Sequence, residues 1–369
     1  MKIGIFTFHR ASNYGAVLQA YALQEYLSSQ GYETCVVDYV PPVMGKLFCS
    51  MKVKGIYSKL KRLAVNIIYL PHILLRIKRR NLFRRFADTY LNLSRKILSD
   101  NDILDFDLFI IGSDQVWNVI FTGGVDRYYW GDFSTKKGAK KISYAASASE
   151  NMNETFGSSS NIELLNNFDA ISVREEELQS LLLERMQDKR IEKVLDPTLM
   201  AGREYFDNIK SKGFEVAKNY ILVYQVIMSQ NKAIQKFVAD IAKRNDWEII
   251  ELPSSINFSK MLFRPNKYMQ WASPIDFVTL FRNAKFVVTT SFHGTAFSLL
   301  YNVPFYVISI SKSVDSRAAD LLSQLGLSRR LIKLPQEEID YDIDWESVNS
   351  KLDKLRLDSR KFLNDSISK

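Results

Sequence analysis

The sequence is poor in the residues that staple small folds or hold metals. Two cysteines occur in 369 residues, Cys35 and Cys49. They form no CxxC pair, so disulfide scaffolds, zinc ribbons and dithiol redox centres are excluded, and a reducing, cytoplasmic setting is expected. There are three histidines and no metal-ligand cluster. No stretch reaches the roughly 18 uninterrupted apolar residues of a spanning helix. The apolar start Met1–Phe6 soon meets His9, Arg10 and Asn13, which does not fit a signal peptide. No GxGxxG occurs, so a dinucleotide fingerprint is missing. Neither is there the polar bias of a disordered chain, because 46% of residues are hydrophobic and 25% charged, as in an ordinary globular protein. The length suggests about two domains.

Acid is scarce in one place. From Lys46 to Lys96 the chain has fourteen Lys/Arg and a single acid, Asp88. The excess that makes the protein basic therefore sits in one segment. Residues 56–75 interleave Ile, Leu, Tyr and Val with Lys and Arg, and Arg76–Arg80 and Arg84–Arg85 follow. This reads as an insertion at about 46–100 forming an amphipathic basic helix pair, a composition that suits an anionic lipid surface, with a plain solvated face as the alternative. No nucleic-acid reader motif accompanies it, so a nucleic-acid partner is not expected.

What is present is an alternation of strands and helices. Residues 2–8 read as a buried strand. A helix follows with Ala16, Ala20, Leu23 and Leu27 on one face, then a strand at Thr34–Tyr39, which together make a βαβ unit. Further strands fit Leu108–Ile111, Ile142–Ala145 and Ala170–Val173, with a helix at Glu175–Leu183. Asp196-Pro197 marks a break, since proline disfavours continuation. The alternation then restarts, with strands at Tyr220–Ile227, Glu248–Leu252, Phe286–Thr290 and Phe305–Ile308. Helices fit Lys232–Arg244, Pro274–Phe281, Thr295–Tyr301 and Arg317–Leu325, and a last long one fits Trp345–Leu363. The expected domains are residues 1–196 and 197–340, with 341–369 a C-terminal helix packing back on the first. The fold class is α/β, with mostly parallel sheets covered on both faces and ligands beyond the carboxyl ends of the strands.

The strand-to-helix loops therefore hold the candidate site. In Thr289–Thr295, Gly294 lets the backbone approach a ligand closely, and the helix start with Ser291 makes an anion site. His293 there can donate to a phosphate or act as a general acid; capping its own helix is the plainer alternative. In the loop after Ile111, Gly112 permits a tight turn. Ser113, Asp114, Gln115 and Asn118 offer polar contacts to a sugar, and Trp117 offers a face to stack on it, unless it is simply a core tryptophan. Asn13, Tyr14 and Gly15 open the first helix, and Tyr144 lies in a third loop of small residues. Arg174, at a strand end, suits bidentate binding of carboxylate or phosphate, or a plain salt bridge to the acids at 175–177. Lys312 follows the strand at Phe305–Ile308 and is placed to meet the same anion as His293.

Six segments resemble the polysaccharide pyruvyl transferase family in order: IGIFTFHRASNYGAVLQAYAL, FIIGSDQVWN, ISYAAS, ISVREEE, VLDPTL and TTSFHGTAFSLLYNVPF. The resemblance covers most of the chain except about residues 46–100. It implies two Rossmann-like domains facing across a cleft, the GT-B arrangement. It also implies phosphoenolpyruvate as donor, a lipid- or nucleotide-linked sugar of a cell-surface polysaccharide as acceptor, and a pyruvate ketal as product, with no metal or other cofactor. By matching motifs, Arg174 and His293 are the implied phosphoenolpyruvate contacts, with Lys312 beside them. Asp114 is then the residue that orients or deprotonates the acceptor. A nucleotide-sugar glycosyltransferase on the same architecture, or a non-catalytic glycan- or lipid-binding member, are the alternatives.

Overall fold

The computed structural model describes residues 1–44, 59–97, 105–148, 152–209, 219–226, 231–253, 267–269, 271–336 and 339–368. The side chains of residues 59–72, 231, 267, 268 and 312–314 fall outside that description. Among the described residues no helix is long and apolar enough to cross a membrane.

The chain lays down two parallel sheets in succession. The first contains β1 (Lys2–Phe6), β2 (Glu33–Val36), β3 (Leu108–Ile111) and β4 (Lys140–Ser143) in the order β2-β1-β3-β4. Isolated parallel bridges, Ile142 to Ala170 and Ala146 to Val173, carry it on to the pair β5 (Ile171–Val173) and β6 (Ile191–Lys193). The second sheet contains β7 (Tyr220–Gln225), β8 (Glu248–Pro253), β9 (Lys267–Tyr268), β10 (Phe286–Thr289), β11 (Phe305–Ile308) and β12 (Leu331–Ile332), ordered β12-β11-β10-β7-β8-β9. Each is a Rossmann-like α/β layer. Their central strands β3 and β10 are buried at every residue, which is why they read as unbroken apolar runs rather than as alternation. The shortest strands, β9 and β12, have two residues each, too few to show a period, and escape the sequence reading.

Three local differences have physical reasons. β4 ends at Ser143, not Ala145, because Ala145 turns to φ 49° and leaves the strand region. Among the described residues the basic insertion forms one continuous helix over Lys59–Tyr90 where a pair is expected, while residues 46–58 and 98–100 of that stretch lie outside the described residues. No glycine interrupts that stretch, and its last turns are anchored by buried Phe83, Phe86 and Ala87. The helix after β1, α1 (Tyr14–Ser29), is buried on all sides from Tyr14 to Gln24, not on one apolar face. It lies between the domains, where the second domain and the Pro197–Ala201 turn cover the side that a lone βαβ unit would leave wet.

The connection between domains and the C-terminal helix (Trp345–Ser368) are tied together. Leu195 N donates to Ser359 Oγ at 2.9 Å, Arg356 Nε to Leu199 O at 2.8 Å, and Arg360 to the carbonyls of Met200 and Ala201 at 3.1 and 2.8 Å. The helix thus returns to the first domain, where Arg360 also sits 5.4 Å from the Tyr26 ring centroid. Across the cleft an aromatic seam of Tyr14, Tyr224, Phe277 and Phe297 joins the halves. Each such ring contributes about 1.5–3 kcal/mol by burial.

Candidate active site

The carboxyl ends of β3, β4 and β5 turn into the cleft beside the start of α1. From the other side comes the helix Phe292–Leu300, which follows β10. The meeting is close. A Cβ on Gly15 would stand 2.0 Å from His293 Nδ1, so only glycine allows α1 to approach that ring.

His293 is buried, and its Nε2 lies 3.6 Å from Asp196 Oδ2, with no hydrogen-bond partner. Asp196 is fully buried. It caps the Pro197–Ala201 turn, its Oδ1 accepting from Thr198 N at 3.0 Å and Oγ1 at 2.8 Å. Its Oδ2 accepts from Arg174 Nη1 at 2.8 Å and Ser113 Oγ at 3.3 Å. Burial alone would raise this carboxyl, but the interaction with His293 and the charge of Arg174 outweigh it and hold Asp196 well below the usual carboxylate range.

Arg174 stands at the end of β5, flanked by three carboxylates: Asp196, Glu175 at 3.3 Å and Asp114 at 3.7 Å. Its guanidinium lies 4.7 Å from the Phe292 ring centroid. Burial works against the charge, yet Glu175, Asp196 and Asp114 fix it more firmly protonated. Its Nη2 is buried and has no hydrogen bond. Glu175 accepts from Ser147 Oγ, and burial pushes its carboxyl up despite Arg174 and Arg317. The expected surface salt bridge of Arg174 is therefore real in part, but it is buried and leaves one edge of the fork open.

A second guanidinium, Arg317, lies on the helix Lys312–Gln324 of the second domain. It lines the same cavity as Arg174, Asp196 and Phe292. Burial and the nearby Arg174 charge push its pKa down. Among the described residues it makes no hydrogen bond or ion pair. Close by, Lys193 of β6 pairs with Asp320 at 3.0 Å and Glu176 at 3.0 Å, bridging the domains at the cavity rim.

Asp114 is held in a left-handed conformation, φ 72°. The preceding Gly112 has φ 120°, and its missing Cβ would fall 2.3 Å from Tyr144 O. Ser147 N donates to Asp114 O at 3.0 Å, which ties this strained turn to the one after β4. Such backbone strain costs on the order of 1–3 kcal/mol and clusters where side chains must be aimed. The result places Asp114 beside Arg174, with 8% of its surface exposed.

Several residues expected to hold the acceptor do other work. Trp117 is fully buried, its indole N–H donates to Tyr129 O at 2.9 Å, and it packs on Trp130, Phe156 and Phe168; no face is left for a sugar. Asn118 caps the turn Val119–Thr122 through Ile120 N. Gln115 is half-buried and accepts from the Asn118 amide. Tyr144 is fully buried and donates to Leu195 O. Tyr14 is buried and donates to Ala272 O across the domains at 2.8 Å. Ser113 is spent on Ala145 O and Asp196. Asn13 is exposed and caps α1 through Ala16 N.

In the second domain, Gly294 serves packing rather than ligand approach, since its Cβ would stand 2.1 Å from Thr289 Oγ1. Ser291 is the N-cap position but makes no side-chain cap, leaving the opening N–H groups of that helix uncapped from its side. Lys312 begins its helix, and its side chain lies outside the described residues.

The structure thus brings together His293, Arg174, Asp114 and Ser113, and adds Asp196, Glu175 and Arg317, which the sequence reading missed. Asp196 had a signal, a capping acid followed by proline at the first helical position. Arg317 had none, being one arginine among many on a polar helix. The cluster is also more evenly charged than an open cationic pocket, two guanidiniums facing three carboxylates.

Among solved structures the chain is similar to UDP-GlcNAc 2-epimerase from Methanocaldococcus jannaschii, at 13% identity and TM-score 0.46, covering 96% of this chain and 92% of that one. It is similar to UDP-N-acetylglucosamine 2-epimerase from Rickettsia bellii at 10% identity and TM-score 0.47, covering 100% and 96%. A third is CalG4, the calicheamicin glycosyltransferase, at 14% identity and TM-score 0.42, covering 100% and 94%. The two-domain α/β architecture itself rests on the strand orders above. No curated protein matches the chain in sequence. The polysaccharide pyruvyl transferase family model matches residues 13–312, a span that runs from the N-cap of α1 to the start of the Arg317 helix and so contains His293, Arg174, Asp114 and Asp196: the chain belongs to that family.

Proposed function

We propose that the protein transfers the pyruvyl group of phosphoenolpyruvate to a lipid- or nucleotide-linked sugar of a cell-surface polysaccharide precursor, forming a ketal and releasing phosphate. The observation that carries this reading is a pair of guanidiniums, Arg174 and Arg317, lining one interdomain cavity together with Asp196, the carboxylate that His293 faces. Arg174 Nη2 and His293 Nε2 are buried without a hydrogen bond, each only within ion-pair reach of a carboxylate, Asp114 at 3.7 Å and Asp196 at 3.6 Å. Arg317 lines the cavity with neither a hydrogen bond nor an ion pair among the described residues. A small multivalent anion in that cavity would satisfy the two guanidiniums, with His293 adjoining it through Asp196. Charge-assisted hydrogen bonds contribute about 1.5–3 kcal/mol each, and the anion also relieves the repulsion between the two arginines. The carboxylates beside Arg174 hold it in place rather than compete with the ligand, since Asp196 and Glu175 are already committed to Thr198, Ser113 and Ser147.

Phosphoenolpyruvate reacts as an enol ether. A proton added to its methylene carbon leaves a cation at the carbon bearing phosphate. One sugar hydroxyl adds there and gives up its proton, the carbon–oxygen bond to phosphate breaks, and a second hydroxyl closes the ketal. Of the two hydroxyl protons released, one balances the proton taken up by the methyl group and the other leaves with phosphate. Arg174 and Arg317 position the donor and stabilise its charge. His293, oriented by Asp196, contacts the phosphate or supplies the proton. Asp114, aimed by its strained turn, receives the acceptor proton.

The test is phosphate release from phosphoenolpyruvate with a panel of lipid- and nucleotide-linked sugars, followed by product mass. A pyruvyl ketal is expected, with the rate falling at least about 100-fold in His293→Ala. Consumption of a nucleotide sugar with glycosyl transfer, in place of phosphoenolpyruvate, overturns the reading.

A further inference from the structure

We propose that the outward face of the basic helix Lys59–Tyr90 docks on an anionic bilayer and holds the cleft at the headgroup layer. The helix presents two different faces over its described side chains. Inward, Arg79, Phe83, Phe86 and Ala87 are buried at helical spacing. Outward, Arg80, Arg84 and Arg85 are exposed together with Leu74, at 56%, and Ile77, at 40%. Ile77, Arg84 and Arg85 fall at i, i+7 and i+8 and so share a face, and Leu74 lies one turn before Ile77. Next to them Trp271 is 44% exposed, with Lys78 Nζ 5.4 Å from its ring centroid. Asp88 is the one acid between Lys46 and Lys96, and Arg10 and Arg84 both pair with it, at 2.7 and 3.3 Å.

Cations set among exposed aliphatic side chains and a tryptophan are what an anionic lipid surface accepts, because phosphates take the charges while the headgroup boundary takes the apolar atoms. A nucleic-acid surface has no place for Leu74 and Ile77. The face is also wired to the cleft. Arg79, on the opposite side of the same helix, donates to Pro253 O of the second domain at 3.1 Å and lies 4.9 Å from the ring centroid of Tyr14, the residue before the Gly15 that meets His293. A bilayer on the outer face thus holds the chain through a helix that itself touches Tyr14 and the second domain, and brings a sugar carried on a lipid phosphate to the same protein. That delivery rests on the proposed function; the binding itself does not.

The experiment is co-sedimentation of the full chain with vesicles of neutral phosphatidylcholine, and with vesicles containing phosphatidylglycerol, at about 0.05 M and about 0.5 M salt. Binding is expected only to the anionic vesicles and only at low salt. Arg80→Glu/Arg84→Glu/Arg85→Glu is expected to weaken it on the order of 100-fold, and Leu74→Ser/Ile77→Ser to weaken it about 10-fold or more. Reversal of three exposed lysines elsewhere, Lys137, Lys354 and Lys361, is expected to leave binding unchanged. Absence of binding to anionic vesicles at low salt overturns the proposal. So does equal loss in the control variant, or tighter retention of a defined DNA duplex than of vesicles by the same arginines. Because none of these measurements involves turnover, a failed transfer reaction and a failed docking face are told apart.

Discussion

Gly15 and His293 offer the sharpest test of how the two domains meet. A methyl group at Gly15 would stand 2.0, 2.2 and 2.4 Å from His293 Nδ1, Cγ and Cε1, against an ordinary contact of about 3.5–4.0 Å. The ring or the helix therefore has to yield by about 1.5 Å. The ring has little room, being buried with Asp196 behind its Nε2. Overpacking of this kind costs about 1–3 kcal/mol, while replacing a helical glycine with alanine returns about 0.5–1 kcal/mol. Four proteins decide the matter by thermal unfolding: wild type, Gly15→Ala, His293→Ala and the double variant. Gly15→Ala should lower the wild-type midpoint by several degrees, at about 2–4 °C per kcal/mol for domains of this size, yet raise the midpoint in the His293→Ala background. The coupling energy expected is about 1–3 kcal/mol. Turnover in Gly15→Ala should fall about 100-fold, as a displacement near 1 Å is enough for that. Equal destabilisation by Gly15→Ala in both backgrounds would refute the contact and, with it, the placement of His293 against α1.

The remaining predictions follow from the same geometry. Asp196→Asn should cost about 3–5 kcal/mol at neutral pH, because it strips a buried partner from Arg174. The folded carboxyl is held below its unfolded value of about 3.9, so its stabilisation is complete above that pH and disappears on acidification; acid unfolding curves should be steeper in wild type than in the variant. Arg174→Met and Arg317→Met should split: the first leaves three carboxylates uncompensated and destabilises by about 3–5 kcal/mol, whereas the second removes a half-buried charge that makes no hydrogen bond or ion pair among the described residues, leaves the thermal midpoint level or higher, and raises the phosphoenolpyruvate KM about 10–100-fold. Calorimetry beside initial rates separates them. Trp117→Ala should cost about 3–5 kcal/mol as a core truncation, while Trp117→Phe should retain the acceptor KM. A changed acceptor KM in Trp117→Phe would return that tryptophan to the sugar site.

Local pattern settled a good deal. The alternation of apolar runs with amphipathic stretches marked two rounds of α/β structure, and the rule that ligands sit beyond strand ends singled out the loops carrying Asp114, Arg174 and His293. One-sided charge between Lys46 and Lys96 needed no structure to be seen. Polar and aromatic residues in those loops were less legible, because Trp117, Tyr144 and Asn118 have the same composition whether they meet a ligand, fill a core or cap a turn. Only packing distinguishes these outcomes. The continuous path of the basic helix across residue 71, and the burial of α1 on every side, likewise depend on what lies opposite.

By itself, then, the sequence determined the fold class, the ends of strands at which chemistry is possible, and the charge of one segment, since all three follow from neighbours along the chain. Tertiary structure alone decided that Arg317 faces Arg174, that Asp196 stands behind His293, and that Gly15 must lack a side chain. Those pairings join residues of different domains, and their energies come from burial and distance, quantities that no local spacing encodes.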